Sequence, residues 1–181
     1  MAATDKLTDL CPAVAEHVAD GMVVTLEGVG HLIAFAAGHE IIRQGRRNLT
    51  RCRMTPYRLA DQLTAGCVRR LIASFFASGC AGSLHKVRRR IARADREPLE
   101  IAEYSHCGMF CRYQAEAARL LFFGLRSRAG SDLSKLNPQI GKVGDPYGGP
   151  DVYVVPTLRP DAPSCMPSAP ITPATRRCGA S

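Results

Sequence analysis

The amino-acid sequence predicts an α/β fold in which a mostly parallel sheet is flanked by helices. Short apolar runs typical of strands alternate with amphipathic segments typical of helices, at a spacing of about 25 to 30 residues. Glycine-containing turns such as "EGVGH" and "ASGCAG" separate several of these segments. The 181 residues are 46% apolar, which is enough for one domain with a buried core.

The first quarter of the chain predicts two helices and two strands. Apolar residues recur at three- and four-residue steps from Leu7 to Val18, which predicts an amphipathic helix. A buried strand is predicted by the glycine-bounded run "GMVVTLEG". The next helix is predicted over "HLIAFAAGHEIIRQ" and ends at Gly45, a favourable C-cap residue. A weaker strand follows over "NLTRCRM".

The alternation continues through the middle of the chain. A helix is predicted over "YRLADQLTAG" and a strand over "VRRLIASFF". Ser83 is expected to cap a helix whose apolar positions are Leu84, Val87 and Ile91. A strand over "LEIAEYS", a helix over "HCGMFCRYQAEAARL" and a strand over "LFFGLRS" complete the series. Beyond it, "GKVGDPYGGPD" is typical of a loop, and "VYVVPTLRPD" predicts one last short strand.

The last twenty residues differ in composition, so we predict a domain over 1–161 and a disordered, proline-rich tail over 162–181. The tail contains Pro163, Pro167, Pro170 and Pro173. Proline removes a backbone donor and fixes one dihedral angle, which opposes helices and central strands.

Composition and charge restrict the class of protein. The net charge of +8 is compatible with a basic nucleic-acid-binding module, but only 6% of residues are aromatic and none is Trp. Base-stacking platforms need aromatic side chains, so a solvated basic helix face is the preferred interpretation. No apolar run reaches the length of a membrane helix, and the acidic start does not resemble a signal peptide, so a cytoplasmic location is expected. Cys107 and Cys111 have no second pair, so no metal site is predicted.

The stretch "GVGHLIAFAAGHEIIRQ" was tested against known ligand-binding motifs. A dinucleotide fingerprint would need glycine where Ile33 stands, and no Gly-Lys-Ser/Thr follows for a P-loop. A zinc-protease helix would need histidine where Arg43 stands. His31 follows the glycine turn at the expected start of a helix, where backbone N–H groups can meet an anion or a polarised carbonyl. We therefore expect the turn after the first strand to face a ligand.

The same stretch resembles the N-terminal region of the alpha (A) subunit of family I coenzyme A transferases, of the glutaconate and 3-oxoacid type. The resemblance extends from Asp5 to Asp161 and rests on an ordered series of matches. These are "GMVVTLEGVGHLIAFAAGHEIIRQGRRNLTRCRMTP", "DQLTAGCVRRLI", "GSLHK", "PLEIAEYSHCGMFCRYQAEAA", "SDLSKLNPQI" and "VPTLRPD".

The resemblance implies transfer of coenzyme A from an acyl-CoA to a carboxylic acid. In this family a glutamate attacks the thioester, and the reaction passes through an anhydride and a glutamyl-CoA thioester. That glutamate belongs to the beta-type partner subunit, so no catalytic residue is expected here. Glu27 aligns with a position that varies or holds glycine in relatives, and it is not taken as the nucleophile. Coenzyme A is a substrate, and no cofactor or metal is implied.

The resemblance also implies which residues build the acyl pocket, through the turns at the carboxyl ends of two strands. The expected substrate-binding residues are Gly28, Val29, Gly30, His31, Ser78, Gly79, Gly82 and Ser83. The expected partners are a beta-type subunit, an acyl-CoA and a carboxylic acid, with no nucleic acid and no membrane.

The chain departs from the family pattern at several places. Val29 replaces a bulky Phe, and "FFASGCAG" stands where relatives carry a Trp-Gly-Gly-Asn-Pro-Gly type loop. Arginines occupy strand positions that are apolar in relatives: Arg51, Arg53, Arg69 and Arg70. A charge buried in a sheet costs several kcal/mol unless it is paired.

The tail also departs from the family. Codons compatible with residues 162–181, read one nucleotide out of phase, can spell Ile-Val-His-Ala-Gln-Arg-Ala-Asp and the family's further continuation. This predicts an out-of-frame tail and a missing C-terminal part. An inactive, truncated relic of such a subunit is therefore the alternative function.

Overall fold

The computed structural model describes residues 8–28, 34–54, 65–74, 85–93, 99–126 and 131–165, with the backbone only at 86–88 and 163–165. The strands are β1 Val23–Glu27, β2 Leu49–Arg53, β3 Val68–Ala73, β4 Glu100–Glu103, β5 Phe122–Leu125, β6 Gly141–Val143, β7 Val152–Pro156 and β8 Ala162–Cys165. The helices are α1 Leu10–His17, α2 Phe35–Arg43, α3 His85–Ala92, α4 His106–Ala117 and α5 Leu133–Leu136.

Five strands form one parallel sheet in the order β4-β3-β2-β1-β8. The predicted α/β class, with a mostly parallel sheet flanked by helices, is confirmed. Strands β1 to β4 lie within the runs that the sequence pattern marked as strands. Because all the strands point the same way, their carboxyl ends meet at one edge of the sheet.

Helices cover both faces of this sheet. On one face α1 and α2 pack against Val24 and Leu26 of β1 and Leu49 of β2. On the other face α4 packs against Cys52, Ile72 and the end of β4. Alternation along β1 therefore turns Thr25 and Glu27 toward α4. Complete burial of an aliphatic side chain such as Ile41 stabilises the fold by about 1.5–3 kcal/mol.

Two helix ends show why these segments stop or start where they do. Gly45 takes a left-handed conformation (φ 67°) just after α2, and its N–H bonds to the carbonyl of Ile42. The predicted C-cap is thus confirmed. At the start of α4, the Ser105 hydroxyl accepts a hydrogen bond from the Gly108 N–H at 2.9 Å.

A second, antiparallel sheet has the strand order β5-β7-β6. The sequence predicted β5 and β7 as strands but placed β5 in the parallel series, which is wrong. It also predicted a loop where β6 lies. Three residues are too few to show the two-residue period of a strand, and β6 is held by pairing with β7.

The structure also corrects the prediction for the beginning of the tail. Residues 162–165 form β8, which pairs in parallel with β1 and places Pro163 opposite Thr25. Because β8 is an edge strand, one proline without a backbone donor can be tolerated there. Asp161 fixes its start, since its carboxylate accepts from the Val23 N–H and its own N–H donates to the Val23 carbonyl, both at 2.8 Å. Residues 166–181 lie outside the described residues, and the out-of-frame origin stays a prediction.

Candidate functional site

A chain of hydrogen bonds runs along the carboxyl ends of β1, β2 and β3. It joins five residues, which we call the strand-end network: Glu27, Met54, Ser74, His106 and Tyr113. Three of them end strands or directly follow them, and the other two lie on α4. Ligands of open parallel sheets bind outside this edge, so the network lies where a site is expected.

Glu27 connects β1 to both of its neighbours. The Tyr113 hydroxyl donates to Glu27 Oε1 at 3.0 Å, and the Met54 N–H donates to the same oxygen at 3.1 Å. The Thr25 hydroxyl lies 3.5 Å from the Tyr113 oxygen. Burial, together with the Glu27 charge, raises the pKa of Tyr113 well above its ordinary value. Tyr113 therefore stays a neutral hydrogen-bond donor at physiological pH.

Ser74 connects β2 to the start of α4. Its hydroxyl donates to the Met54 carbonyl and lies 3.2 Å from His106 Nδ1. A hydroxyl has one proton to donate, so His106 Nδ1 must carry a proton and act as the donor to Ser74. The Met54 backbone is thus held through its N–H by Glu27 and through its carbonyl by Ser74.

The turn after β1 starts from a constrained glycine. Gly28 has φ 141°, a conformation that favours glycine because other residues carry a Cβ atom. Its carbonyl accepts a hydrogen bond from Arg53 Nη2 at 2.9 Å. The start of this turn is therefore fixed by β2.

The arginines that were expected to burden the sheet fall into two classes. Arg51 and Arg53 are buried, and they share the α2-facing side with their register partners Leu71 and Ala73. Burial lowers the pKa of Arg51 to about 10, and it also lowers the pKa of Arg53.

The other two arginines are more exposed and lie on β3 near the neighbouring strand. Arg69 and Arg70 reach Glu100 of β4 at 3.4 and 3.7 Å. The expectation of a costly buried charge therefore applies to Arg51 and Arg53 only.

Two thiols lie together on α4, close to the network. Cys107 Sγ and Cys111 Sγ are 4.0 Å apart, and burial followed by the neighbouring Cys107 raises the pKa of Cys111 to about 11. Across the ranges that the structure describes, no three His, Cys, Asp or Glu side chains are grouped as a metal site would require. None of the helices in those ranges has the length and apolar character to cross a membrane.

Comparison with known proteins gives the family. The chain is 45% identical over 157 residues to the alpha (A) subunit of the 3-oxoadipate CoA-transferase of Pseudomonas knackmussii, which covers 86% of this chain and 56% of the relative. The chain belongs to the family I CoA-transferases. Within this family it corresponds to the alpha (A) subunit. No protein-family model matches it.

Solved structures share the fold. The AibA/AibB decarboxylase, in a variant with one cysteine replaced by serine, matches with a TM-score of 0.73 at 26% identity, over 86% of this chain and 60% of that chain. Glutaconate coenzyme A-transferase from Acidaminococcus fermentans matches with a TM-score of 0.76 at 23% identity, over 87% and 55%. This CoA-transferase chain thus spans between half and two thirds of the length of these relatives.

One of the substrate-binding residues expected from the family resemblance lies in the described part of the structure. Gly28 occupies the carboxyl end of β1, as the sequence predicted for the turn. The other expected residues lie outside the described residues: Val29, Gly30, His31, Ser78, Gly79, Gly82 and Ser83.

Sequence reasoning missed most of the strand-end network. Tyr113 is 86 residues from Glu27, and His106 is 32 residues from Ser74. No local motif marks such pairs. The available signal was that Ser74 follows a predicted strand and that His106 opens a predicted helix, which places both at the expected ligand edge.

Proposed function

We propose that the chain is a subunit of a cytoplasmic CoA-transferase, which moves coenzyme A from an acyl-CoA to a carboxylic acid. The observation that carries the proposal is the 45% identity, over 157 residues, to the alpha subunit of a 3-oxoadipate CoA-transferase. The strand-end edge supports it, because buried hydrogen bonds fix the backbone where a substrate would bind. A 3-oxo dicarboxylic acid is the acceptor class that this relative's name favours.

The proposed reaction needs a carboxylate nucleophile from a beta-type partner subunit. That carboxylate attacks the acyl-CoA carbonyl, the coenzyme A thiolate leaves, and an acyl anhydride forms on the partner. The thiolate then attacks the glutamyl carbonyl and releases the acyl carboxylate. The acceptor acid completes the exchange by the reverse steps, so no oxidant or metal is needed.

Glu27 is poorly suited to be that nucleophile. Its Oε1 already accepts two hydrogen bonds, from Tyr113 and from Met54. Donors that stabilise a carboxylate also reduce its reactivity, and the side chain is half-buried between β1 and α4. The proposed contribution of this chain is therefore a preorganised backbone at the turn that begins with Gly28, with donors for the developing oxyanion.

A second candidate is an inactive relic, since the chain spans 56% of the P. knackmussii relative. A third is decarboxylation, which the 26%-identical AibA/AibB structure favours. The three candidates differ in a measurable way. Transfer, carbon dioxide release and no turnover are separate outcomes of one assay.

The test is co-expression of the full chain with the beta subunit of a 3-oxoadipate CoA-transferase. We expect a complex on gel filtration and transfer of coenzyme A from an acyl-CoA to 3-oxoadipate. The chain without its beta partner should show no transfer. Borohydride reduction of the thioester intermediate should label the beta partner and leave this chain unlabelled. A complex without turnover would favour the relic, and labelling of this chain would contradict the assigned roles.

A further inference from the structure

We propose that Glu27 is a positioning residue, which holds the turn after β1 through Tyr113 and Met54. The inference rests on the proposed function, because it assigns this turn to substrate contact. It concerns a carboxylate that takes no part in the exchange of bonds. Its oxygen Oε1 lies within 3.1 Å of a donor on α4 and of a donor just after β2.

The geometry shows how one carboxylate can fix the turn. Glu27 is the last residue of β1, and Gly28 is the first residue beyond it. The Glu27 side chain faces α4, whereas the Gly28 carbonyl is held by Arg53 on the α2 side of the sheet. Contacts on both faces leave the backbone between them little freedom to rotate. The turn therefore leaves the sheet in one direction.

The network also prevents a displacement of β2 relative to β1. Met54 is bound through its N–H to Glu27 and through its carbonyl to Ser74, which follows β3. A shift of the end of β2 would break both bonds. Misplacement of a substrate-binding element by about 1 Å can reduce turnover roughly a hundredfold.

Two substitutions separate positioning from chemistry by the carboxylate. Glu27→Gln keeps a carbonyl oxygen that can accept from Tyr113 and Met54, whereas Glu27→Ala removes every acceptor. In the complex with the beta partner, we expect Glu27→Gln to keep kcat within about threefold and Glu27→Ala to lower it at least about tenfold. Tyr113→Phe should lower kcat by an intermediate factor. The matched control is Tyr147→Phe, the same change at a fully exposed site (95% exposed), and it should behave like the wild type.

A second measurement does not depend on activity. Amide hydrogen exchange of the full chain reports the Met54 N–H directly. We expect Glu27→Ala to speed this exchange at least about tenfold and Glu27→Gln to leave it close to the wild type. If the wild-type complex shows no transfer, the proposed function fails and the exchange data still decide about positioning. Unchanged Met54 exchange in Glu27→Ala, or equal loss of kcat in Glu27→Gln and Glu27→Ala, would overturn the inference.

Discussion

The Arg112 guanidinium carbon lies 4.2 Å from the centroid of the Tyr104 ring, and this contact joins the two sheets. Tyr104 follows β4 in the parallel sheet, and Arg112 Nε donates to the carbonyl of Pro156 in β7 at 3.0 Å. The Arg112 carbonyl in turn accepts from the Leu158 N–H at 3.2 Å. Arg112 is 3% exposed, so these contacts form in a medium of low dielectric constant where they are strong.

Replacing Arg112 should weaken the attachment of the small sheet. We expect Arg112→Ala to lower the free energy of unfolding by about 3 kcal/mol, since it removes a desolvated cation–π contact and a charged hydrogen bond. Arg112→Lys keeps the charge but lacks the planar group that stacks on Tyr104, and it should cost about 1–2 kcal/mol. Urea unfolding measures both. Arg159→Ala is the matched control, because Arg159 is 82% exposed beside Glu116, and an equal loss in all three variants would contradict this role.

Arg51 is a buried arginine with the opposite energetic balance. Its Nη1 donates to the Val24 carbonyl at 3.0 Å, and its Nε has no hydrogen-bond partner in the described part of the chain. Burial accordingly lowers the pKa of Arg51 to about 10. We expect Arg51→Met to raise the free energy of unfolding by about 1–3 kcal/mol, because an apolar side chain avoids this desolvation.

Thermal and urea unfolding test this expectation. The control is Arg69→Met, on the exposed part of β3, which should change stability by less than about 0.5 kcal/mol. Loss of stability in Arg51→Met would show that the single bond to Val24 outweighs the desolvation of the cation.

The buried Cys52 thiol should make stability depend on alkaline pH. Burial raises the pKa of Cys52 to about 11 from an ordinary 9.0. Between these values the folded state keeps the thiol proton while the unfolded chain loses it. The contribution to stability is therefore complete below pH 9 and is lost as the pH rises to 11, by up to about 1.4 kcal/mol per pH unit.

The comparison of wild type with Cys52→Ala isolates this group. We expect the difference in unfolding free energy between the two proteins to shrink from pH 9 to pH 11, whereas other groups that titrate there cancel. The exposed Cys11→Ala variant should differ from the wild type by a constant amount. Parallel stability curves for wild type and Cys52→Ala would contradict the raised pKa.

The sequence predicted the repeating parts of the fold and missed what depends on distant pairing. The runs containing β1 to β4 show their strand character locally, because apolar residues dominate them. By contrast, β6 has three residues and depends on β7, so its pattern carries no period. The proline rule failed at Pro163 because it ignored the edge position of β8.

For the site, sequence reasoning predicted the ligand edge and the place of Gly28. It could not pair Tyr113 with Glu27 across 86 residues, since that contact depends on how α4 crosses the sheet. The same limit explains the arginines. Four positions on β2 and β3 looked alike in sequence, yet the sheet buries Arg51 and Arg53 and leaves Arg69 and Arg70 beside Glu100.

The pairing of β8 with β1 predicts that the first four residues of the tail protect the sheet. A chain that ends at Asp161 keeps the Asp161–Val23 bonds but loses the ladder of Ala162–Cys165 with β1. Its β1 then presents unpaired backbone groups, which recruit strands from other molecules. Compared with a chain that ends at Cys165, we expect a lower melting temperature and more aggregation, measured by thermal unfolding and light scattering. The two truncated chains differ only by the residues of β8, so equal behaviour would show that β8 contributes nothing to the sheet.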